Sequence, residues 1–227
     1  MQRIPEPELM DGPEQARAYA EADFESVNSN FVTELWQRFP ELGNKAAILD
    51  LGCGPGDIPL RLARAFPAGR IVGVDGAEAM LALGRRALAG AEGAERVTLV
   101  QAELTELSAP ERGFDAVVAN SLLHHLHQPH TLWRAVAEQG RPGAAVYITD
   151  LMRPESPRAA QSIVDTYAAD EPEQLRQDFY NSLLAAFTPG EVQAQLRAAG
   201  LPALTVAAVS DRHLQVTGHL PGRGAEP

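Results

Sequence analysis

The stretch Ile48-Leu-Asp-Leu-Gly-Cys-Gly-Pro-Gly-Asp57 decides the fold of this chain. It begins as a short apolar strand, turns through glycines at 52, 54 and 56, and leads into a helical pattern. Glycine permits a tight turn and leaves no Cβ between the backbone and a ligand. The stretch therefore predicts a strand, a loop and a helix that together bind a small molecule, although a plain strand-to-helix turn would show the same glycines.

Short segments rich in Val, Ile and Leu alternate with helical patterns between residues 46 and 150. This alternation is typical of a parallel sheet with right-handed crossovers and with both faces buried. The predicted strands are 47–51, 70–75, 97–101, 116–120 and 144–150, followed by closing strands at 204–209 and 213–218. The predicted helices between them are 58–66, 77–89 and 129–139. The fold class is therefore α/β, with a doubly wound sheet.

Two helical regions accompany this sheet. Residues 1–45 are predicted to form an N-terminal helical cap, because apolar side chains recur there at spacings of three and four. The main domain is predicted to be 46–227, within which 153–187 lack a strand pattern and form a helical cap insertion. Thr188-Pro-Gly-Glu191 then predicts a helix start, with threonine as the cap and proline in the first position.

Composition limits the partners of the chain. Its 227 residues carry 19 Lys and Arg against 30 Asp and Glu, a formal charge of −11 that disfavours nucleic acid and anionic membranes. Cys53 is the sole cysteine, which excludes an internal disulfide and a thiolate metal cage. The polar N-terminus differs from a secretory signal, and no apolar run is long enough to span a bilayer. We expect a cytoplasmic protein.

The glycine spacing differs from the dinucleotide-binding pattern. In Gly-x-Gly-x-x-Gly the third glycine would fall at position 57, whereas here it is Gly56 and Asp57 follows at the predicted helix cap. A carboxylate at that cap would occupy the helix amides and repel a pyrophosphate. A ligand without phosphate that carries an ammonium group fits better, and S-adenosylmethionine is such a ligand.

The end of the second predicted strand supports an adenosyl ligand. Asp75 follows Gly56 by nineteen residues, where a carboxylate can accept hydrogen bonds from both ribose hydroxyls. A surface acid that caps the next helix is the alternative. Met80 and Leu81 could offer apolar surface to the adenine, and both could equally belong to the core.

With these residues placed, the chain resembles the class I S-adenosylmethionine-dependent methyltransferases, especially the small-molecule group that includes ubiquinone/menaquinone-biosynthesis-like enzymes. The resemblance covers residues 46–218 and is carried by four motifs. They are Ile48-Leu-Asp-Leu-Gly-Cys-Gly-Pro-Gly56, Val72-Gly-Val-Asp75, Val100-Gln-Ala-Glu-Leu104 and Phe114-Asp-Ala-Val-Val-Ala-Asn-Ser-Leu-Leu-His-His-Leu126. In the third motif Ala102 and Glu103 stand where the family usually has Gly and Asp, whose acid binds the adenine amino group.

The resemblance implies a Rossmann-like methyltransferase fold. Its seven-stranded, mostly parallel sheet has the last strand antiparallel and inserted beside the fifth. It also implies S-adenosylmethionine as the cofactor. The cofactor-binding residues implied by the motifs are Asp50, Gly52, Cys53, Gly54, Gly56, Asp75, Gly76, Met80, Glu103, Leu104, Asn120 and Ser121.

Two histidines just past the fourth predicted strand are the candidate catalytic bases. Methyl transfer needs the acceptor aligned, water excluded and, where the acceptor carries a proton, that proton removed. His124 and His125 can titrate near neutrality, and we favour His125. In similar enzymes a histidine here can pair with a tyrosine of the N-terminal helix, which makes Tyr19 the expected partner. Simple packing of both histidines is the alternative.

Other polar groups after the fourth and fifth predicted strands are candidates for metal binding, proton removal or substrate binding. A zinc site at 124, 125, 127 and 130 is disfavoured, because Pro129 interrupts the helix that would hold the four histidines, and we predict no metal. Asp150 is an alternative base, and Arg153 could pair with a substrate carboxylate, although a cap and a surface charge are equally good explanations.

The acceptor is predicted to be a small molecule rather than a nucleic acid. Asn120-Ser-Leu-Leu123 lacks the prolines and the aromatic side chain that stack a flipped base in related enzymes. We expect no membrane partner and leave a homodimer open. Two alternative functions remain: a nicotinamide-dependent oxidoreductase of similar fold, and a module that binds S-adenosylmethionine without catalysis.

Overall fold

A computed structural model describes residues 1–7, 12, 16–17, 24–107 and 113–222. The strands are β1 (Ala47–Leu51), β2 (Arg70–Asp75), β3 (Val97–Gln101), β4 (Phe114–Asn120), β5 (Gly140–Leu151), β6 (Thr205–Ala208) and β7 (His213–His219). The helices are α1 (Glu25–Arg38), α2 (Asp57–Ala65), α3 (Glu78–Leu88), α4 (His130–Gln139), α5 (Pro157–Tyr167), α6 (Glu173–Ala185) and α7 (Pro189–Ala198). Among these helices none is long and apolar enough to cross a membrane.

The described strands form one seven-stranded sheet in the order β3-β2-β1-β4-β5-β7-β6. Strands β1 to β5 pair in parallel, whereas β7 runs antiparallel to both β5 and β6. The predicted fold class, including the antiparallel last strand beside the fifth, is confirmed. Because the strand order reverses between β1 and β4, a crevice opens at the carboxyl ends of these strands.

The predicted bounds of β1, β2 and β3 agree with the structure residue for residue. Strand β5 begins four residues earlier than predicted. Its pairing with β4 runs from Phe114 opposite Gly140 to Ala116 opposite Ala145, so extra residues bulge out of the ladder. Gly143 adopts a φ of 81° within this bulge, which explains how a segment rich in Gly and Pro can belong to a strand.

Alternating side chains of the strands pack on the two faces of the sheet. On one face Ile48, Ile71 and Ala116 contact helices α1 and α2. The residues that α1 contributes, such as Phe31 and Leu35, are buried in this core. Helix α1, which belongs to the predicted N-terminal cap, therefore covers one face of the sheet.

The predicted insertion 153–187 contains α5 and α6 and is followed by α7. Its residues Ile163 and Leu183 form a small apolar cluster with Leu151 at the end of β5. The predicted start of α7 is confirmed, because Glu191 N donates to Thr188 Oγ1 and Thr188 N donates to Glu191 Oε2. These elements stand beside the carboxyl ends of the strands.

The first seven residues, named here the N-terminal segment, lie across the cap formed by α5 and α6. Ile4 N donates to Leu184 O at 3.0 Å, at the end of α6. The Arg3 guanidinium donates to the carbonyls of His124 and Leu126 at 2.8 and 3.0 Å. The segment thereby joins the cap to the loop that follows β4. Tyr19 lies outside the described residues, so its pairing with a histidine stays a prediction.

Candidate active site

A cavity of about 620 Å³ opens at the carboxyl ends of the central strands. Its size suits a cofactor and a small second substrate. It is bordered by the glycine loop after β1, the end of β2, the loop after β4 and the cap. The predicted cofactor contacts that line it are Gly52, Gly54, Asp75, Gly76, Met80, Glu103, Leu104, Asn120 and Ser121.

The glycine loop needs glycine for two different reasons. Gly52 has a φ of 69°, and an added Cβ would stand 2.7 Å from Leu122 Cδ1, so both its conformation and its packing exclude a side chain. Gly54 has a φ of 52°, yet an added Cβ would meet no protein atom within 4 Å. Because Gly54 also lines the cavity, its bare backbone leaves open space for a ligand.

Asp75 at the end of β2 is held in one orientation by the backbone. Its Oδ2 atom accepts a hydrogen bond from Gly54 N at 2.8 Å, and its Oδ1 atom accepts one from Ala77 N at 2.8 Å. Burial raises the pKa of this carboxyl, while these backbone hydrogen bonds act in the opposite direction. Asp75 lines the cavity, and a carboxylate can accept more hydrogen bonds than the backbone gives it here, which fits the two hydroxyls of a ribose.

Three predicted cofactor residues have other surroundings. Asp50 is fully buried, neither of its oxygens has a hydrogen-bond partner within the described ranges, and burial followed by the charge of Asp75 raises its pKa well above the usual value. Burial likewise raises the pKa of the Cys53 thiol. Gly56 is the N-cap of α2 and packs near Leu99. For these three, as for the residues that line the cavity, direct contact with the cofactor stays a prediction.

The prediction that Asp57 caps α2 is wrong. Gly56 is the N-cap, and no side chain in the described part of the chain caps the helix. Asp57 is the first helical residue, where its carboxylate points along the helix side rather than at the free amides. Its Oδ2 atom accepts hydrogen bonds from Arg61 Nε at 2.7 Å and from Asn28 Nδ2 at 2.8 Å. Arg61 thus offsets the charge that was expected to repel a pyrophosphate.

His124 and Asp150 form a buried pair between the loop after β4 and the end of β5. Asp150 Oδ1 lies 2.6 Å from His124 Nδ1, and Asp150 also accepts from the backbone amides of Leu123 and Leu151. These bonds place the imidazole proton on Nδ1 and leave Nε2 as the acceptor. The His124 side chain is only 4% exposed, yet it lines the cavity.

The two adjacent histidines titrate in opposite directions. Burial lowers the pKa of His124, but the charge and the hydrogen bond of Asp150 outweigh it, so the net pKa lies above the usual value. Burial, together with the charge of His124, lowers the pKa of His125 to about 3. At neutral pH His125 is therefore uncharged, whereas the pKa of His124 is shifted in the direction that favours its charged form.

Glu6 of the N-terminal segment reaches both histidines, which no motif in the sequence indicates. Its Oε1 atom lies 3.2 Å from His125 Nδ1 and 3.6 Å from His124 Nε2, and it accepts a hydrogen bond from Ser182 Oγ at 3.0 Å. Burial raises the pKa of Glu6, and the charge of His124 opposes that shift. Only the path of the segment across the cap brings this carboxyl to the site.

Glu6, His124 and His125 are also grouped closely enough to hold a metal ion, although the sequence predicts that the chain uses none. Glu6, His124 and His125 each offer a ligand atom, and these atoms lie within 4.8 Å of one another. Their present partners are Ser182 for the carboxylate and Asp150 for one imidazole. The expectation that the chain uses no metal stays a prediction.

Residues of the predicted insertion 153–187 have different surroundings. Phe179 lines the cavity. The Phe187 ring packs against the Arg3 guanidinium, whose central carbon lies 4.0 Å from the ring centre. Arg153 is buried and donates to Ala186 O and to Glu191 Oε1. These contacts within the protein account for its position without a substrate carboxylate.

Comparison with known proteins identifies the domain. Residues 48–143 match the family model described as "Methyltransferase domain". A ubiquinone biosynthesis O-methyltransferase from Hydrogenovibrio crunogenus is 29% identical over 168 residues, 74% of this chain and 66% of that protein. A trans-aconitate 2-methyltransferase from Azoarcus sp. is 33% identical over 125 residues, 55% of this chain and 46% of that protein.

A solved structure shows the same fold. The structure of a SAM-dependent methyltransferase from Aquifex aeolicus aligns with a TM-score of 0.65 at 17% identity, covering 92% of this chain and 98% of that one. Residues 48–143 are thus similar to a methyltransferase domain, and the described fold is that of a solved SAM-dependent methyltransferase. The chain spans about half to two thirds of the length of the two curated relatives described above.

Proposed function

We propose that this chain transfers a methyl group from S-adenosylmethionine to a small-molecule acceptor. The observation that carries the proposal is Asp75, a strand-end carboxylate bonded to the glycine loop through Gly54 and exposed to the cavity. The match of residues 48–143 to the methyltransferase domain model and the similarity to two relatives named as methyltransferases support it. When bound, S-adenosylmethionine supplies a methyl group that is already activated by the positive charge on sulfur.

The residues present fit this cofactor. Asp75 would hold the ribose hydroxyls, Met80 and Leu104 would contact the adenine on apolar surface, and Glu103 would accept from its amino group. Gly52 and Gly54 would admit the methionine part, beside Asn120 and Ser121. All of these line the cavity. The chemistry of the set supports the assignment, because it offers acceptors for hydroxyl and ammonium groups.

His124 is the best candidate to take a proton from the acceptor. Asp150 orients its ring and stabilises the imidazolium that would form, and Nε2 remains at the cavity. His125, the base favoured from the sequence, has a pKa of about 3 and would therefore accept a proton poorly. We assign the role of base to His124, whereas His125 contacts Glu6.

A binding module without catalysis is the competing reading. It would need the cofactor cavity and would have no use for an oriented histidine–carboxylate pair beside it. The pair and the cap over it therefore favour an enzyme. A cytoplasmic location, a homodimer and the lack of a nucleic-acid partner remain predictions from the sequence.

Calorimetric titration of the whole chain tests the proposal. S-adenosylhomocysteine should bind, and NAD should not bind at concentrations that saturate the chain with S-adenosylhomocysteine, because the loop departs from the Gly-x-Gly-x-x-Gly spacing of dinucleotide-binding loops. Binding of NAD alone would favour the oxidoreductase. Binding of S-adenosylhomocysteine without methylation of any compound in a broad acceptor screen would favour the binding module.

Alanine at Gly54 should weaken S-adenosylhomocysteine binding about tenfold or more, because the new Cβ occupies ligand space. Gly200→Ala is a matched control, since Gly200 follows the end of α7 with a φ of 73° and its added Cβ also meets nothing within 4 Å, but it does not line the cavity. Both variants should lose roughly 1–2 kcal/mol of stability from left-handed backbone. Equal calorimetric affinities in the two variants would contradict the assignment of Gly54.

A further inference from the structure

One part of the cavity lies beyond the predicted cofactor contacts, and we name it the acceptor chamber. It is bounded by the N-terminal segment, by helices α5 and α6 and by the loop that precedes β7. Its lining residues are Glu6, Tyr167, Glu171, Leu175, Asp178 and Phe179. Apolar and aromatic side chains thus alternate with carboxylates around one space, next to His124.

The carboxylates of the chamber outnumber the cationic groups beside them. His124, whose pKa is raised, lies 3.6 Å from Glu6 and offsets part of the charge of Glu6. Arg212 is the only Lys or Arg among the cavity-lining residues in the described ranges. Its guanidinium carbon stacks 3.3 Å from the centre of the Tyr167 ring, and its Nη1 atom pairs with Asp211 at 2.9 Å. Burial, with the charge of Arg212, also lowers the pKa of the neighbouring His213, which keeps it uncharged.

Glu6 is the carboxylate best placed to select a ligand by charge. Its side chain is 14% exposed, so its field in the chamber is weakly screened by water. Its hydrogen-bond donor in the described part of the chain is the neutral hydroxyl of Ser182. Asp178, four residues before Ser182 on α6, adds a second negative charge on the same side.

A second, independent feature also points to a ligand. His124 lines the cavity, and the hydrogen bond of its ring to a described residue is the one from Nδ1 to Asp150, while Glu6 Oε1 lies 3.6 Å from Nε2. An acceptor atom at the wall of a cavity is suited to a ligand that brings a donor. An N–H group would satisfy it.

We propose that the acceptor is an amine that is positively charged in solution and carried on an apolar or aromatic body. This inference rests on the proposed function. The carboxylates stabilise the ammonium, and Leu175 and Phe179 contact the body. The ammonium loses one proton to His124 Nε2, its nitrogen then bonds to the methyl carbon, the carbon–sulfur bond breaks, and S-adenosylhomocysteine leaves with the electron pair. A carboxylate acceptor would meet like charge instead.

Three probes with one body and different charges test this inference. They are 2-phenylethylamine, 2-phenylethanol and 3-phenylpropionate, titrated calorimetrically into the chain saturated with S-adenosylhomocysteine. The amine should bind about tenfold or more tighter than the carboxylate, with the alcohol between them. Carboxylate binding equal to or tighter than amine binding overturns the inference, and so does a failure to detect the amine at all.

Glu6→Gln removes the charge and keeps the oxygen that accepts from Ser182. The preference for the amine over the alcohol should fall about fivefold or more, with S-adenosylhomocysteine affinity unchanged. Glu173→Gln is the matched control, because Glu173 is exposed in the first turn of α6 and does not line the cavity. An unchanged preference in Glu6→Gln, or an equal loss in both variants, overturns the role of Glu6.

Failure of the proposed function has a different signature. If S-adenosylhomocysteine does not bind the unmodified chain, the proposed function fails, and the order of the three probes is measured on the chain alone. The order of affinities of the amine, the alcohol and the carboxylate then tests the preference of the chamber for positive charge separately from cofactor binding. Binding of S-adenosylhomocysteine together with a reversed charge order leaves the methyltransferase proposal intact and removes the amine.

Discussion

Replacement of Asp75 by alanine should weaken S-adenosylhomocysteine binding about tenfold or more, which is about 1.4 kcal/mol. The carboxylate would hold the ribose, and it also ties the glycine loop to β2 through Gly54 N and orients the start of α3 through Ala77 N. Loss of the side chain would therefore remove a ligand contact and loosen the loop together. Calorimetric titration of the variant measures the change.

A carboxylate at the other end of the sheet provides the matched control for Asp75. Asp115 Oδ2 accepts a hydrogen bond from Ala47 N at 2.8 Å, so Asp115→Ala also frees a backbone amide at a strand end. Asp115 does not line the cavity, and its variant should bind S-adenosylhomocysteine like the unmodified chain. If Asp75→Ala binds with unchanged affinity, Asp75 does not contact the ribose. Equal losses in both variants would mean that general loosening of the sheet is responsible.

Local sequence was sufficient to predict the parallel half of the sheet. Strands such as β1 and β2 are covered on both faces, so they are short continuous runs of Val, Ile and Leu that end at a charged residue or a glycine turn. Their bounds follow from composition and turn residues within a few positions. The antiparallel β7 was placed beside β5 only through the resemblance to known methyltransferases, because strand order is not a local property.

The differences from the predictions arise where a residue's partner lies in another segment. The carboxylate of Asp57 accepts from Arg61, an i,i+4 neighbour that helical spacing indicates, and from Asn28 on α1, which spacing does not reveal. Gly140 and Gly143 are turn-forming residues in isolation, and only pairing with β4 through a bulge makes them part of β5. Long-range contacts of this kind leave no signal in the local sequence.

The candidate site likewise contains residues that motifs indicate and residues that only the tertiary structure brings in. Residues on the strand ends, such as Asp75 and Asn120, could be named from motifs because the strand fixes which edge they reach. Glu6 could not, since it is brought to His124 and His125 by the N-terminal segment, which is held by Arg3 on the loop carbonyls. The groups that would select the acceptor thus come from segments without a sequence signature, while the cofactor loop has one.

Replacement of His124 by alanine should lower the methylation rate about 100-fold or more, if its role is to remove a proton. S-adenosylhomocysteine affinity should change little, because Asp75 and the glycine loop hold that ligand. His130→Ala is the control, since His130 is exposed at the start of α4 and does not line the cavity. The rate is measured with an acceptor that the unmodified chain methylates. A near-normal rate in His124→Ala would contradict its role as the base.

The pH dependence of the rate can tell which histidine is the base. A base must be neutral to accept a proton, so the rate falls as the pH drops through its pKa. For His124 this decline lies above pH 6.5, because the Asp150 charge raises its pKa, whereas for His125 it would lie near pH 3. Asp150→Asn removes the charge that raises the pKa and should move the decline to lower pH.

The shift between unmodified chain and Asp150→Asn also separates the enzyme's ionisation from that of the substrate. If the acceptor is an amine, its own deprotonation contributes to the rise of the rate with pH, but that contribution is the same in both proteins. Only the part that belongs to His124 responds to Asp150, which accepts from His124 Nδ1 at 2.6 Å. Superimposable pH profiles would therefore remove the His124–Asp150 pair from proton transfer, and a shift toward lower pH would assign the proton to it.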